Sequence, residues 1–304
     1  MAVAGSLVVE PLTPTIGAEV QGVDLGRPLA AETVAALRRA LLDHLVLFFH
    51  DQELTDDDHL RFGRAFGEID LPAYRTEGMD RPEILVIDMD APKGQDTDSW
   101  HADATYRPEP PMGSILRAVR LPPDGGGDTC FASMYAAYDA LSPALRGLVD
   151  GLHAVHTMAL VAERTRDNAA VRPNEDVAGG YPSFVHPVVR VHPETGRKLL
   201  NVNANWTSRI AELGEAESRA VLDLLLHHLR SPDHQCRFRW RPGSIAFWDN
   251  RAVQHFAVAD YRQRRVMRRV TLAGDRPRGP DGHSASTSST TDVSTRSSTG
   301  SGSE

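Results

Sequence analysis

"CRFRWRPGSIAFWDNRAVQHFAVADYRQRRVMRRVTLA", residues 236–273, contains four short runs that read as β-strands: CRFRW, SIAFWD, VQHFAV and VMRRVTLA. Working outward, "LVVE" and "AEVQGVDL" near the N-terminus also look extended, and "LVLFF" (45–49) is a short continuous apolar run, the mark of a buried strand. Further strands are predicted at "ILVI" (84–87), "SILRAV" (114–119) and "TCFAS" (129–133), with a hairpin over 188–203 turning at Glu194–Gly196. "PPDGGGD" (122–128) is a turn that suits glycine above other residues. Helices are fewer. Residues 31–43 place Val34, Leu37 and Leu41 at helical spacing, and Thr55 followed by Asp58 opens a second helix with a capping-box pattern. Residues 135–149 form a helical patch, and a long helix over 214–230 puts Val221, Leu224, Leu225 and Leu229 on one face. Many strands and a few helices predict a mainly β fold with flanking α: a sandwich or barrel core covered by helices.

The chain has 304 residues, 41% hydrophobic and 24% charged, enough to bury a sizeable core. Its formal charge of −8 argues against nucleic acid or an anionic membrane as main partner, so any anion recognition must be local. Cys130 and Cys236 supply no disulfide framework, which suits a reducing cytoplasm. No apolar run reaches a membrane span, and "MAVAGSLVVEPLTP" does not read as a signal peptide. Residues 160–185 carry weak patterning, as binding loops often do. Composition changes after residue 278: 14 of the 22 residues in 283–304 are Ser or Thr. Such a segment cannot offset its ordering entropy by burial, so 1–278 reads as one domain and 279–304 as a disordered tail. Whether the chain forms a homo-oligomer stays open.

Chemistry begins at "SWHADATY" (99–106). In a strand, His101 and Asp103 would project from one face, with Ala102 turned away. Alone the pair is weak evidence among thirteen histidines. Should the barrel bring His255 against it, two imidazoles and one carboxylate would form the facial triad of non-haem Fe(II) oxygenases, with positions left open; a structural zinc site would need a fourth ligand. Downstream, strand parity puts Arg265 and Arg269 on one face and Arg264 and Arg268 on the other. A guanidinium inside a barrel wants a bidentate anion, whereas one over the sheet surface snorkels; parity does not say which pair is inside. His44, His50 and His59 read as element ends, and His227 and His228 as the polar side of a helix. His153, His156, His186 and His192 lie in strand-like runs without a partner at ligand spacing. Trp100 and Trp248 read as core or pocket wall.

Taken in order, "LVLFFHDQ", "FGEI", "WHADATY", "GGDT", "HPVVRVHPETGRK", "WDNRAVQHFAVADY" and "RRVTLAGDRP" resemble the Fe(II)/2-oxoglutarate-dependent dioxygenases of the taurine dioxygenase (TauD/TfdA) family. The resemblance covers nearly the whole body and implies a double-stranded β-helix, or jelly roll, core. It implies Fe(II), 2-oxoglutarate as cosubstrate, and O2. It also implies iron ligation by His101, Asp103 and His255, and a hold on the distal carboxylate of 2-oxoglutarate by Thr129 and Arg265. Arg269 resembles the arginine that reaches the substrate anion in sulfonate-using members. The substrate side departs from the taurine pattern. In "LPAY" the tyrosine, Tyr74, is kept, but Leu71 stands where those enzymes carry histidine, and Thr97 where they carry asparagine. The expected activity is therefore oxidation of a C–H bond in a small anionic substrate, sulfonate-like or carboxylate, with release of succinate and CO2. Taurine itself fits poorly. A metal-dependent hydrolase and a non-catalytic binding jelly roll are the competing readings; the first lacks an evident general base, and the second would be marked by a lost ligand.

Overall fold

Residues 7–72, 81–89, 99–123, 125–164 and 181–282 are described in this computed structural model. The strands are β1 (Val8–Pro11), β2 (Ala18–Gln21), β3 (Val46–Phe49), β4 (Ile69–Asp70), β5 (Ile84–Met89), β6 (Gly113–Arg120), β7 (Thr129–Ser133) and β8 (His153–Thr157). They continue with β9 (Ser183–Pro187), β10 (Val189–Val191), β11 (Lys198–Leu200), β12 (Thr207–Ile210), β13 (Gln235–Phe238), β14 (Ile245–Asp249), β15 (Val253–Ala257) and β16 (Arg265–Leu272). The helices are α1 (Ala31–His44), α2 (Asp56–Arg64), α3 (Met134–Asp139), α4 (Pro143–Val149), α5 (Ala159–Arg164) and α6 (Glu215–His228).

One eight-stranded sheet runs β1-β2-β3-β14-β6-β16, and the far edge of β16 carries β5 and then β4. A three-stranded sheet, β13-β7-β15, faces it. The two meet through aromatic contacts: Phe48 of β3 stacks on Phe238 of β13 at 4.1 Å and meets Phe131 of β7 edge-on at 5.5 Å. Such face-to-face packing of two sheets, antiparallel but for the β2–β3 pair, is the jelly-roll arrangement. Two smaller sheets, β12-β8-β9 and β10-β11, complete the strands.

The apolar run at 45–49 has a direct explanation. Val46 and Phe48 enter the core between the sheets, while Leu47 and Phe49 enter a second core against α1 and α2. On β14, Ala246 and Trp248 face inward between the sheets and Ile245 and Phe247 face the helices. A strand buried on both faces needs apolar residues at every position rather than at alternate ones. Leu37 and Leu41 of α1 cover that outer face, joined by Leu60 and Phe62 of α2. The capping box of α2 forms as its sequence predicts. Thr55 Oγ1 accepts the Asp58 N–H at 3.2 Å, and Asp58 Oδ2 accepts the Thr55 N–H at 3.0 Å.

Three local readings are corrected. His59 does not end an element: it is the fourth residue of α2 and wholly buried, with Nε2 donating to the Ile115 carbonyl at 3.0 Å. Burial draws its pKa down to about 3. On α6 the inner face is Ser218, Leu222 and Leu225, with Leu229 at its end, whereas Leu224 is 43% exposed. The Ile210 N–H of β12 donates to Ser218 Oγ at 2.8 Å and sets the helix's rotation, a contact between segments that helical periodicity does not contain. His228 is half-buried and donates to the Ala137 carbonyl at 2.8 Å rather than lying on an open polar face. Among the described residues no helix is long and apolar enough to cross a membrane. From residue 283 the expected tail lies outside the described residues, as do 165–180 of the weakly patterned segment.

Candidate active site

His255 projects from β15 against the paired rings of Trp248 and Phe131, at centroid distances of 4.8 and 6.3 Å. His101 meets it through reciprocal backbone hydrogen bonds of 3.1 and 2.8 Å, forming a single bridge. The strand expected over 99–106 stops there. Residues 103–106 form a turn, with Ala104 at a φ of +49°, and Ala102 is buried. Side-chain contacts from distant segments replace the ladder. Asn250 Oδ1 accepts the Asp103 N–H at 2.7 Å, and Trp206 Nε1 donates to the Ala102 carbonyl at 2.9 Å. The result still brings His101 and Asp103 together, by a turn rather than by strand alternation.

Asp103 Oδ1 lies 3.9 Å from Nε2 of each imidazole, and one donor atom from each of the three residues falls within 4.8 Å of the others. His101 Nδ1 donates to the Ser99 carbonyl at 2.7 Å, which fixes its tautomer and leaves Nε2 a lone pair facing Asp103. Burial, reinforced by His101, holds the His255 pKa well below the ordinary value, so this imidazole is neutral, as a metal ligand must be. For Asp103, burial pushes upward. Arg269, His255, His101 and the Ser114 hydroxyl pull the other way, and the carboxyl is held at about 2. Arg269 Nη1 donates to Oδ1 at 2.8 Å and Ser114 Oγ to Oδ2 at 3.0 Å. Two imidazoles and an ionised carboxylate on one side of a point suit divalent iron with positions to spare.

The strand parity of the arginines has a definite outcome. Met267 of β16 enters the core between the sheets, while Val270 and Leu272 face the helices. Arg265 and Arg269 share the parity of Met267 and point inward. Arg264 is exposed and pairs with Asp88 at 2.6 Å, and Arg268 pairs with Asp56 of α2. The irregularity between β16 and β6 skips Val119 on β6, so alternation along β16 is unbroken.

Arg265 is 6% exposed, and its Nε and Nη2 are buried without a hydrogen-bond partner. A buried guanidinium in that state calls for an anion. Thr129 of β7 is also buried, and its Oγ1 accepts from Trp240 Nε1 at 3.0 Å, leaving its own proton to be donated. The Trp240 and Tyr261 rings lie 5.9 and 5.8 Å from the Arg265 guanidinium. Trp240 therefore touches both residues. A dicarboxylic 2-oxo acid, with one end at the triad and its distal carboxylate on Arg265 and Thr129, fits this donor set.

The glycine turn closes over Arg265. Gly125, Gly126 and Gly127 have φ of +79°, +85° and +72°. A Cβ on Gly127 would stand 2.8 Å from Arg265 Nε and 3.1 Å from the Tyr261 ring, while its N–H donates to Asp260 Oδ1 at 2.7 Å. Gly127→Ala combines left-handed strain with overpacking, each about 1–3 kcal/mol, and the overpacking falls on Arg265 itself. We expect roughly 5- to 150-fold weaker 2-oxoglutarate binding by that measure, with metal affinity unchanged. Equal loss of both in a titration would show that the turn supports the whole site.

Leu71 follows β4 and is 51% exposed; its neighbour Asp70 is paired with Thr271, two residues from Arg269. Tyr74 and Thr97 lie outside the described residues. Four contributors escaped the reading of sequence: Trp206, Ser114, Trp240 and Asn250. Ser114 and Trp240 were available as strand neighbours, and Asn250 sits inside the quoted "WDN", but nothing local marks their partners.

The family model described as "Taurine catabolism dioxygenase TauD, TfdA family" matches residues 9–271. An alpha-ketoglutarate-dependent sulfate ester dioxygenase of Pseudomonas putida is 39% identical over 288 residues, covering 91% of this chain and 92% of that protein. An alkylsulfatase of Acinetobacter baylyi is 35% identical, covering 95% and 92%. The crystal structure of a taurine dioxygenase from Burkholderia xenovorans is similar with a TM-score of 0.79 and 40% identity, over 92% of this chain and 95% of that one. With the family model matched along residues 9–271, the chain belongs to the TauD/TfdA family and is a 2-oxoglutarate-dependent non-haem iron dioxygenase.

Proposed function

We propose that this dioxygenase acts on alkyl sulfates or similar organosulfur anions with an apolar chain, oxidising the carbon that bears the anionic group. What carries the reading is the pair of interior guanidiniums on β16, one without a partner and one beside the triad. Two anions are thereby provided for, a cosubstrate and a substrate. The two relatives named for sulfate esters and alkyl sulfates support the substrate class.

In this reading His101, Asp103 and His255 hold Fe(II), and Arg265 and Thr129 hold the distal carboxylate of 2-oxoglutarate. Fe(II) with 2-oxoglutarate and O2 supplies the oxidising chemistry, converting the 2-oxo acid to succinate and CO2 while one oxygen atom enters the substrate C–H bond. The protein's part is placement. Arg269 draws the substrate's anionic end to the triad, and the Trp248 and Phe131 rings keep the His255 side dry. A carbon carrying both hydroxyl and sulfate expels sulfate and leaves an aldehyde. The two free cysteines suit a reducing cytoplasm, where we place the enzyme.

The test is succinate release with taurine, alkylsulfonates, carboxylates and alkyl sulfates of increasing length, on the wild type and Leu71→His. Leu71 offers no donor to a sulfonate. One missing hydrogen bond to an anion costs about 1–3 kcal/mol, or roughly tenfold or more in affinity. An alkyl sulfate is expected to exceed taurine by at least that factor, and Leu71→His to narrow the gap. Taurine as the best substrate of the unmodified enzyme would overturn the assignment.

A further inference from the structure

We propose that Asn250 is the positioning residue of the metal loop: its side-chain amide clasps the backbone of Asp103 from both sides and holds the carboxylate in ligand geometry. The proposal rests on reading Asp103 as a metal ligand. Asn250 is 3% exposed and follows the last residue of β14. Its Oδ1 accepts the Asp103 N–H at 2.7 Å, and its Nδ2 donates to the Asp103 and Pro111 carbonyls, both at 3.1 Å. The amide oxygen and one proton are thus committed to Asp103, and the other proton ties it to Pro111 at the entrance to β6.

Asn250 is itself fixed. Its backbone N–H donates to the Met112 carbonyl at 2.9 Å. The preceding Asp249 is buried, accepting from Arg251 Nε at 2.9 Å and from His192 Nε2 at 3.0 Å. The clasp therefore anchors a turn to a rigid strand end. A turn with Ala104 at positive φ has no ladder to define it. Without the amide, the Asp103 N–H and carbonyl lose the side chain that orients them, and only Trp206 on the preceding carbonyl and Arg269 and Ser114 on the carboxylate still restrain the ligand. The chemistry of the clasp is particular to an amide, since only a group with one acceptor and two donors satisfies all three atoms.

The experiment titrates the metal-free protein with Co(II) in the absence of 2-oxoglutarate, reading the visible absorption and the metal-induced shift in Tm. Wild type, Asp103→Ala, Asn250→Ala, Asn250→Ser and Leu222→Ala, a core variant on α6, are compared. Loss of a group that orients a metal ligand weakens metal binding by about 10–100-fold. That loss is expected for Asn250→Ala, with a smaller one for Asn250→Ser and none for Leu222→Ala despite its lower Tm. Wild-type affinity in Asn250→Ala, while Asp103→Ala loses the metal, would overturn the clasp and leave the ligand reading standing. Wild-type affinity in Asp103→Ala would instead overturn the ligand reading. If both Asn250 variants are unfolded before metal is added, the residue holds the fold rather than the loop, and the proposal fails.

Discussion

Asp103→Ala is expected to abolish the weak visible absorption that Fe(II) and 2-oxoglutarate give together under anaerobic conditions, and with it all succinate formation. Two imidazoles hold Fe(II) poorly without the carboxylate. Among the described residues one carboxylate stands with the two imidazoles, so no described neighbour is placed to repair the loss. The substitution also strips Arg269 Nη1 and Ser114 Oγ of their acceptor. Breaking a buried ion pair by removing one partner costs about 3–5 kcal/mol; with Arg269 20% exposed, solvent softens that figure here. The metal-free variant should accordingly melt lower than the wild type. A normal absorption band in Asp103→Ala would remove the residue from the site.

Arg265→Ala should raise the 2-oxoglutarate requirement steeply while leaving metal binding intact. Truncating one side of a buried, charge-assisted pair costs about 2–5 kcal/mol, roughly 30- to several-thousand-fold. The matching control is Arg264→Ala. Arg264 pairs with Asp88 at the surface, with side chains 48% and 38% exposed, and such pairs contribute about 0–1 kcal/mol. Measuring the 2-oxoglutarate KM of both variants decides the matter. Similar effects would mean that β16 does not sort its arginines as described.

The site was legible in the sequence to the extent that its residues lie on regular strands. Arg265 and Arg269 could be grouped by parity because β16 alternates without interruption, and "LVLFF" declared a doubly buried strand by composition alone. Parity did not say which arginines face inward. That depends on α2 placing Asp56 beside Arg268 and on β5 placing Asp88 beside Arg264, both long-range facts. The stretch 99–106 failed as a strand for the same kind of reason. Its conformation is imposed by Asn250 and Trp206, each more than a hundred residues away. His101 and Asp103 were still paired correctly, because a turn and a strand can both bring residues two apart to one side. His59 and the face of α6 were misread where a buried polar contact, to Ile115 or Ile210, outweighs hydrophobic periodicity.

The unbroken alternation of β16 has a consequence for how such enzymes can change. Successive residues of a strand advance about 3.3 Å, so the Cα atoms of Arg265 and Arg269 are roughly 13 Å apart and interior positions recur every ~6.6 Å. On the roles proposed for Arg265 and Arg269, the strand works as a graduated rule on which the cosubstrate and substrate anions are marked. An insertion of one residue between the marks would turn one arginine out of the barrel, so their spacing can drift only in whole divisions. On the same proposal, substrates of a new length would be met elsewhere, in the segments around the rule, while the strand keeps the spacing of the two guanidiniums fixed.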